Sequence, residues 1–173
     1  MVAFVPFDLE IHREQFVQLN IEHISWMVEQ LREKYEINAT SRIGQTIPEY
    51  VEEHLEDLTS LKPPDGIVFL LVVDGDIAGM GALRKLRDRI GEIKRMYIRP
   101  RYRGRGYGKQ MLNRLLEIGR EFGCSSFWLE TAKFMTIARH IYRSAGFQEM
   151  EEYAETEVPI IFRPYWLFME KKE

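Results

Sequence analysis

The chain has 173 residues, with 24 Lys+Arg against 27 Asp+Glu for a formal net charge of −3. That length suits one domain with a real core and is short for two ordinary enzyme domains. With 45% hydrophobic and 29% charged residues it is neither disordered nor of low complexity, and its single cysteine excludes a disulfide framework or a cysteine-built zinc cluster.

Other classes fall to position rather than to totals. His12, His23, His54 and His140 are scattered, with no pair at the helical spacing of metal ligands, so no metal is expected. The opening segment lacks a basic stretch and meets Asp8 and Glu10 early, unlike an export signal. The longest apolar run, Ile67 to Val73, is seven residues, well short of the roughly 18 of a membrane span. A soluble, cytoplasmic protein with no membrane partner is the expectation.

Val2 to Phe7 is β-rich and reads as a first strand. Residues 9–36 carry Phe16, Leu19, Ile24, Met27, Val28 and Leu31 near a period of 3.6, which predicts a helix. Asn38-Ala39-Thr40-Ser41 reads as a break. Thr46, Pro48 and Glu49 form a helix entry, and that helix is expected to run to about Leu61, before Pro63-Pro64. Ile67–Val73 and Ile77–Lys85 are strands joined by the tight turn Asp74-Gly75. Ile90–Arg99 is a third strand, closed by Pro100. From Gly106 to Gly123 an amphipathic helix presents Met111, Leu112, Leu115, Leu116, Gly119 and Phe122 on one face. Ser126–Thr131 is a strand, residues 135–145 a helix, and Phe147–Tyr153 and Tyr165–Glu170 complete the strands. The order predicts an α/β domain with a single mixed sheet flanked by helices.

The charges are sorted along the chain. Residues 1–60 carry twelve acids and four bases, a net of −8, whereas residues 84–120 carry thirteen bases and three acids, a net of +10. Lys94 to Lys109 holds seven bases and no acid. Such sorting asks for an anionic partner near the middle of the chain.

Within that block lies Arg103-Gly104-Arg105-Gly106-Tyr107-Gly108-Lys109, between a strand and a helix. Gly106 and Gly108 let the backbone curl so that successive N–H groups converge, and the first helical turn adds its own free donors. A plain tight turn with solvated arginines is the alternative. A P-loop would need glycine at 103 and Ser or Thr at 110, where Arg103 and Gln110 stand. A dinucleotide fingerprint would need glycine at 109, which is Lys109. An RNA-recognition strand would need Phe-Val-x-Phe/Tyr where the chain has Lys109-Gln110-Met111-Leu112.

What fits is Q/R-x-x-G-x-G/A, filled by Arg103, Gly106 and Gly108. With the downstream run Ala138-Arg139-His140-Ile141-Tyr142-Arg143-Ser144-Ala145-Gly146-Phe147, matching A-x-x-L-Y-x-x-x-G-F, the sequence resembles the GCN5-related N-acetyltransferases over roughly residues 65–170. The resemblance implies one N-acetyltransferase domain over residues 1–173, with residues 65–170 as an acetyl-CoA-binding core. Residues 1–62 would supply a first strand and the acceptor-side helices. It assigns Arg103, Gly104, Arg105, Gly106, Tyr107, Gly108 and Lys109 to the pyrophosphate of acetyl-CoA, the acyl-donor cosubstrate. The backbone of Met96, Tyr97 and Ile98 falls to the pantetheine arm, with the Met96 N–H as oxyanion donor. Tyr142 would protonate the departing thiolate; as a bare residue it also suits core packing. Glu92 stands at the spacing from Gly106 that the catalytic glutamate has in the histone-acetyltransferase branch, and is the candidate general base; an ion-paired strand glutamate is the alternative. Met135 replaces an asparagine common in the family, which puts the arm contacts in question.

The acceptor expected is a primary amine of a small molecule or peptide. Acids at Glu49, Glu52, Glu53, Glu56 and Asp57, and at Glu149, Glu151, Glu152, Glu155 and Glu157, would steer a cationic one. The aromatic run Phe162, Tyr165, Trp166 and Phe168 is assigned either to the cleft or to the core. Cys124 reads as a small buried residue. Two other classes stay open: a non-catalytic acyl-CoA-binding module, and an RNA-binding protein using Lys94–Lys109. Nucleic acid is disfavoured because only Tyr97, Tyr102 and Tyr107 could stack there. Dimers are common in the family, which keeps a homodimer open.

Overall fold

The computed structural model describes residues 1–173. Strand β1 (Val2–Pro6) leads into α1 (Leu9–Tyr35), whose start is set by Asp8: its Oδ1 accepts from the N–H of Glu10 and Ile11 at 2.9 and 3.1 Å. Phe16, Leu19, Asn20, His23 and Leu31 form the buried stripe, and Glu36 in a left-handed conformation ends the helix. The expected break at residues 38–41 is instead a short helix, α2 (Ala39–Ile43). Asn38 caps it, so the Asn-Ala-Thr-Ser run that reads as punctuation is a helix start. The Thr46/Glu49 capping box forms as expected on α3 (Ile47–Glu53). That helix does not reach Leu61. At His54 the imidazole Nδ1 bonds the Tyr50 carbonyl at 2.8 Å, the backbone tightens, and α4 (Glu56–Thr59) follows as a separate turn.

Strands β2 (Gly66–Val73), β3 (Asp76–Arg87), β4 (Ile90–Ile98), β5 (Ser126–Ala132), β6 (Gln148–Met150) and β7 (Trp166–Lys172) join β1 in one sheet of order β1-β2-β3-β4-β5-β7-β6. Only β4 and β5 run parallel. The strand expected over Phe147–Tyr153 shrinks to β6, because Tyr153 turns inward to pack on Trp128 and Phe168. Helices α5 (Tyr107–Glu121) and α6 (Thr136–Ser144) cover one face over Phe69, Leu71, Leu83 and Ile93. The first helices cover the other, where Phe16, Leu19, Leu55 and Leu58 meet Val68, Leu70, Met80 and Ala82. The alternation of residues 68–71 between these two layers is what period-2 side-chain geometry requires of a strand buried on both faces.

Gly119 fixes how closely α5 approaches the sheet, since a Cβ there would lie 2.3 Å from Phe127 Cε1. Gly119→Ala is therefore expected to destabilise the fold by about 1–3 kcal/mol through overpacking, read as a lower urea midpoint at unchanged slope.

Candidate active site

The site grows from a defect in β4. Ala82 pairs with Lys94 and Met80 with Tyr97, so two residues of β4, Arg95 and Met96, stand opposite Gly81 alone. Arg95 takes φ of 53°, a left-handed conformation unusual for a side-chain-bearing residue in a strand. One extra residue reverses the side-chain phase. Glu92, Lys94, Met96 and Ile98, which strict alternation would put on one face, are thereby divided. Met96 and Ile98 pack with the α5/α6 layer, while Tyr97 joins the α1 layer.

The same defect splays the parallel pair. Pairing of β4 with β5 ends at Ile93 opposite Leu129, although both strands continue. Beyond it, the edge of β4 around Met96–Ile98 faces the gap with no strand beside it, a row of backbone groups available to an extended ligand.

Past the end of β4, the glycine loop leads into α5. Gly104 and Gly106 have φ of 75° and 79°, and Gly106 caps the helix without a side-chain hydrogen bond. The N–H groups of residues 104–109 have no acceptor within the protein. Such converging donors at a helix start suit a phosphate. Arg105 and Lys109 are exposed beside them without an acidic partner. Arg103 points elsewhere: its Nε donates to the Ile98 carbonyl at 2.8 Å and its guanidinium lies over Trp26 and Tyr97. Much of the positive block is paired internally, Arg99 with Glu22 and Arg101 with Asp76, so Arg105 and Lys109 supply the charge nearest the loop.

A cavity of about 150 Å³ opens at the splay, lined by Glu92, Lys94, Arg95, Met96, Glu130 and Tyr142 among others. Both predicted catalytic residues thus reach one space. Tyr142 is buried on α6, with its hydroxyl 4.0 Å from Met96 Sδ, and burial pushes its pKa up to about 12. Next to α6, Gly108 sits so that a Cβ would lie 3.4 Å from Ile141 Cδ1, which holds the phosphate loop against the helix that carries the tyrosine.

Glu92 is 1% exposed and heavily engaged. Its Oε2 accepts from Arg84 Nε and Nη2 at 3.0 and 2.7 Å, and its Oε1 accepts from the Tyr153 hydroxyl at 2.8 Å. Lys94 Nζ is 3.6 Å away. Glu130, which sequence reasoning passed over, is the contrast: its Oε1 is buried with no hydrogen-bond partner. Burial raises its pKa and the charge of Glu92 adds to this, while Thr156 and Tyr153 pull the other way. The only sequence signal for Glu130 was an acid within a strand of otherwise apolar and hydroxyl residues.

His23, from α1, also lines the cavity, with both ring nitrogens buried and unpartnered. Burial, together with the charges of Arg95 and Arg103, lowers its pKa to about 3, so the ring is neutral. Met135 stands at the start of α6 in the lining, where its sulfur accepts from the Thr131 hydroxyl at 3.7 Å. The aromatic run divides: Trp166 lines the cavity, while Phe162 and Phe168 are buried in the cores and Tyr165 packs on Tyr35. Cys124 is buried in the main core.

The acidic runs are largely spent within the protein. Glu49 closes the capping box, Glu52 pairs with Arg13, Glu149 with Arg143, Glu152 with Arg163, Glu155 with Arg87, and Glu157 with both Arg84 and Lys94. What is left is a weak attractor for a polycation.

Comparison with known proteins agrees with this architecture. The model of the acetyltransferase (GNAT) family matches residues 26–147. The chain belongs to the GNAT acetyltransferase family. As a GNAT protein it is an acyltransferase. It is 33% identical over 128 residues to the uncharacterized N-acetyltransferase YsnE of Bacillus subtilis, covering 65% of this chain and 85% of that protein. To the IAA acetyltransferase of Azospirillum brasilense it is 33% identical over 119 residues, 68% of this chain and 75% of the relative. The fold is also that of the PaiA N-acetyltransferase of Thermoplasma acidophilum in complex with coenzyme A, at a TM-score of 0.71 and 17% identity, over 100% and 99% of the two chains. The GNAT fold accounts for the sheet order, with an acyl-CoA as cosubstrate. No helix of this chain is long and apolar enough to cross a membrane.

Proposed function

We propose that this GNAT enzyme, acting in the cytoplasm, transfers the acetyl group of acetyl-CoA directly to a primary amine of a small molecule or peptide. In this reading residues 65–170 form the coenzyme-binding core and residues 1–62 the acceptor side of one domain. The observation that carries it is the splay of β4 and β5, where a cavity holding Tyr142 and two carboxylates opens beside the free edge of β4, the strand that leads on to the glycine loop. The loop N–H groups from Gly104 to Lys109 take the pyrophosphate, and the open edge at Met96, Tyr97 and Ile98 takes the arm. The Met96 N–H meets the oxyanion.

Two proton positions must then be served. An ammonium has no lone pair, so its proton must leave before the nitrogen attacks the thioester carbon. As the C–S bond breaks, the sulfur needs a donor. The high pKa of Tyr142 keeps its hydroxyl protonated and able to donate. For the base, Glu92 and Glu130 act as a pair. Glu92, with Arg84 and Tyr153 on its oxygens, is the fixed negative charge of the pair. Glu130 presents the unpartnered oxygen and takes the proton from the amine. A second reading, with Glu92 itself as the base through the Tyr153 hydroxyl it already accepts from, rests on that 2.8 Å hydrogen bond.

The pH profile of kcat/KM separates the two. The wild type is expected to show two breaks on its acid side, one from the base and one from the amine at about 10. Glu130→Gln should remove the lower break; Glu92→Gln should keep it and shift it downward, because a negative neighbour is gone. Loss of the lower break in Glu92→Gln alone would return the base role to Glu92.

Stability gives an independent reading. Because folding raises the Glu130 pKa, the folded state favours the protonated form and pays for ionisation above it. Glu130→Gln is expected to melt higher than wild type at about pH 8 and equally below the carboxylate range. A variant that gains stability while losing turnover is what a group strained for function gives.

A further inference from the structure

The charges of the cavity cancel in pairs until two are left. Glu92 is held by Arg84, and Lys94 by Glu157. Arg95 has neither an acidic partner nor a hydrogen bond, is half-buried in the lining, and owes its place to the left-handed bulge of β4. Glu130 keeps its buried, unpartnered oxygen in the same lining. His23 adds a buried neutral imidazole whose two nitrogens are unsatisfied, and at least one of them is an N–H donor. A half-buried guanidinium and a buried imidazole without partners are costly unless a ligand supplies them. One free cation and one free carboxyl oxygen, in a space whose other charges are matched, complement a molecule bearing one charge of each sign.

The cavity also has an annex. Ile24, Met27, Tyr50, Pro159 and Trp166 are shared with an adjoining chamber of about 80 Å³ between α1, α2, α3 and the segment before β7, whose further walls include Leu31, Ile43 and Phe162. Its lining is apolar except for Thr40, Gln45, Thr46 and the Tyr50 hydroxyl. A long polyamine would bury its charges there without partners.

We infer that the acceptor is a primary amine that also carries a carboxylate and an apolar side group, as in an α-amino acid with a hydrocarbon or aromatic side chain. Arg95, with His23, holds the carboxylate; Glu130 faces the amine; the chamber takes the side group. This rests on the acetyl-transfer reading above and narrows its acceptor. Arg95 is a specificity residue, and nothing in the transfer step itself passes through it.

The test compares L-leucine and L-phenylalanine with their carboxamides and with spermidine, by thiol release from acetyl-CoA. The amides have the more readily deprotonated amines, so chemistry alone would favour them. The expected result is the reverse: kcat/KM for the acid exceeds that for the amide by about tenfold or more, as a charged hydrogen bond to the carboxylate requires, and spermidine is poorer still. Arg95→Met should bring the acid-to-amide ratio to about one, with Arg95→Lys between. Equal rates for acid and amide in the wild type, or an unchanged ratio in Arg95→Met, overturns the inference. Calorimetry of the same compounds on the coenzyme A-loaded protein separates it from the reading beneath. Binding of the acid but not the amide, without turnover, keeps the class of ligand recognised and sinks the transfer reading. Coenzyme A binding with neither compound bound nor acetylated overturns the acceptor class.

Discussion

Replacing Tyr142 by Phe is expected to lower kcat by roughly 10²-fold or more while leaving the dissociation constant of coenzyme A within about threefold. The substitution removes one oxygen and keeps the ring, which packs at 6.0 Å from Phe147 in an edge-on arrangement. That oxygen has only the Met96 sulfur, at 4.0 Å, as a hydrogen-bond partner within the protein. A thioether is a poor acceptor, so the hydroxyl contributes little to folding and is free for another partner. If it serves the departing sulfur, its loss falls on the step in which the C–S bond breaks and not on coenzyme binding. Equal loss of kcat and affinity, or a lower melting temperature with unchanged kcat, would assign Tyr142 to packing.

The second large effect concerns the support of the carboxylate pair. Arg84→Met leaves Glu92 buried at 1% exposure with its two-pronged partner gone, keeping the neutral Tyr153 hydroxyl and, as the one remaining cation, Lys94 at 3.6 Å. An uncompensated buried carboxylate is expensive, and the expected cost is about 3 kcal/mol, or roughly 6–12 °C in melting temperature for a chain of this size. Glu92→Gln in the same chain should recover most of the loss, since the neutral amide needs no counter-charge and Glu157 retains Lys94. Additive losses in the double variant would mean that Arg84 acts through Glu157 instead.

The parts of the site legible in the sequence are those that local physics encodes. Of the two glycines expected to curl the loop, Gly106 does so at φ of 79° and starts α5, whereas Gly108 lies within the helix and Gly104, at φ of 75°, takes the second left-handed place. The helix over residues 135–145 was legible in the same way, but the role expected of Tyr142 came from the family resemblance of the Ala138–Phe147 run. The bulge of β4 was legible in part: strict alternation puts Glu92, Lys94, Met96 and Ile98 on one face, an odd mixture that a bulge resolves, but which residue bulges was not. Arginine at positive φ carries no compositional signal, and its position depends on Gly81 of the neighbouring strand. Strict alternation therefore grouped Glu92 with Met96, when the extra residue separates them.

Long-range pairing explains the other differences. The acids at 149–157 read as a steering field because their partners, Arg84, Arg87, Lys94, Arg143 and Arg163, are mostly distant in sequence. Glu130 is not marked out by the sequence because what distinguishes it is one carboxyl oxygen without a partner, which only the packed structure reveals. Likewise the α3 and α4 turns read as one helix because the His54 imidazole, reaching back to Tyr50, competes with the ladder in a way propensity does not encode.

The most direct measurement is thiol release from acetyl-CoA over a panel of primary amines, with the acetylated product identified by mass. At least one amine is expected to give stoichiometric thiol and N-acetyl product, with saturation in both substrates. Coenzyme binding without thiol release for any amine, amino acid or peptide would contradict acetyl transfer and leave an acyl-CoA-binding protein.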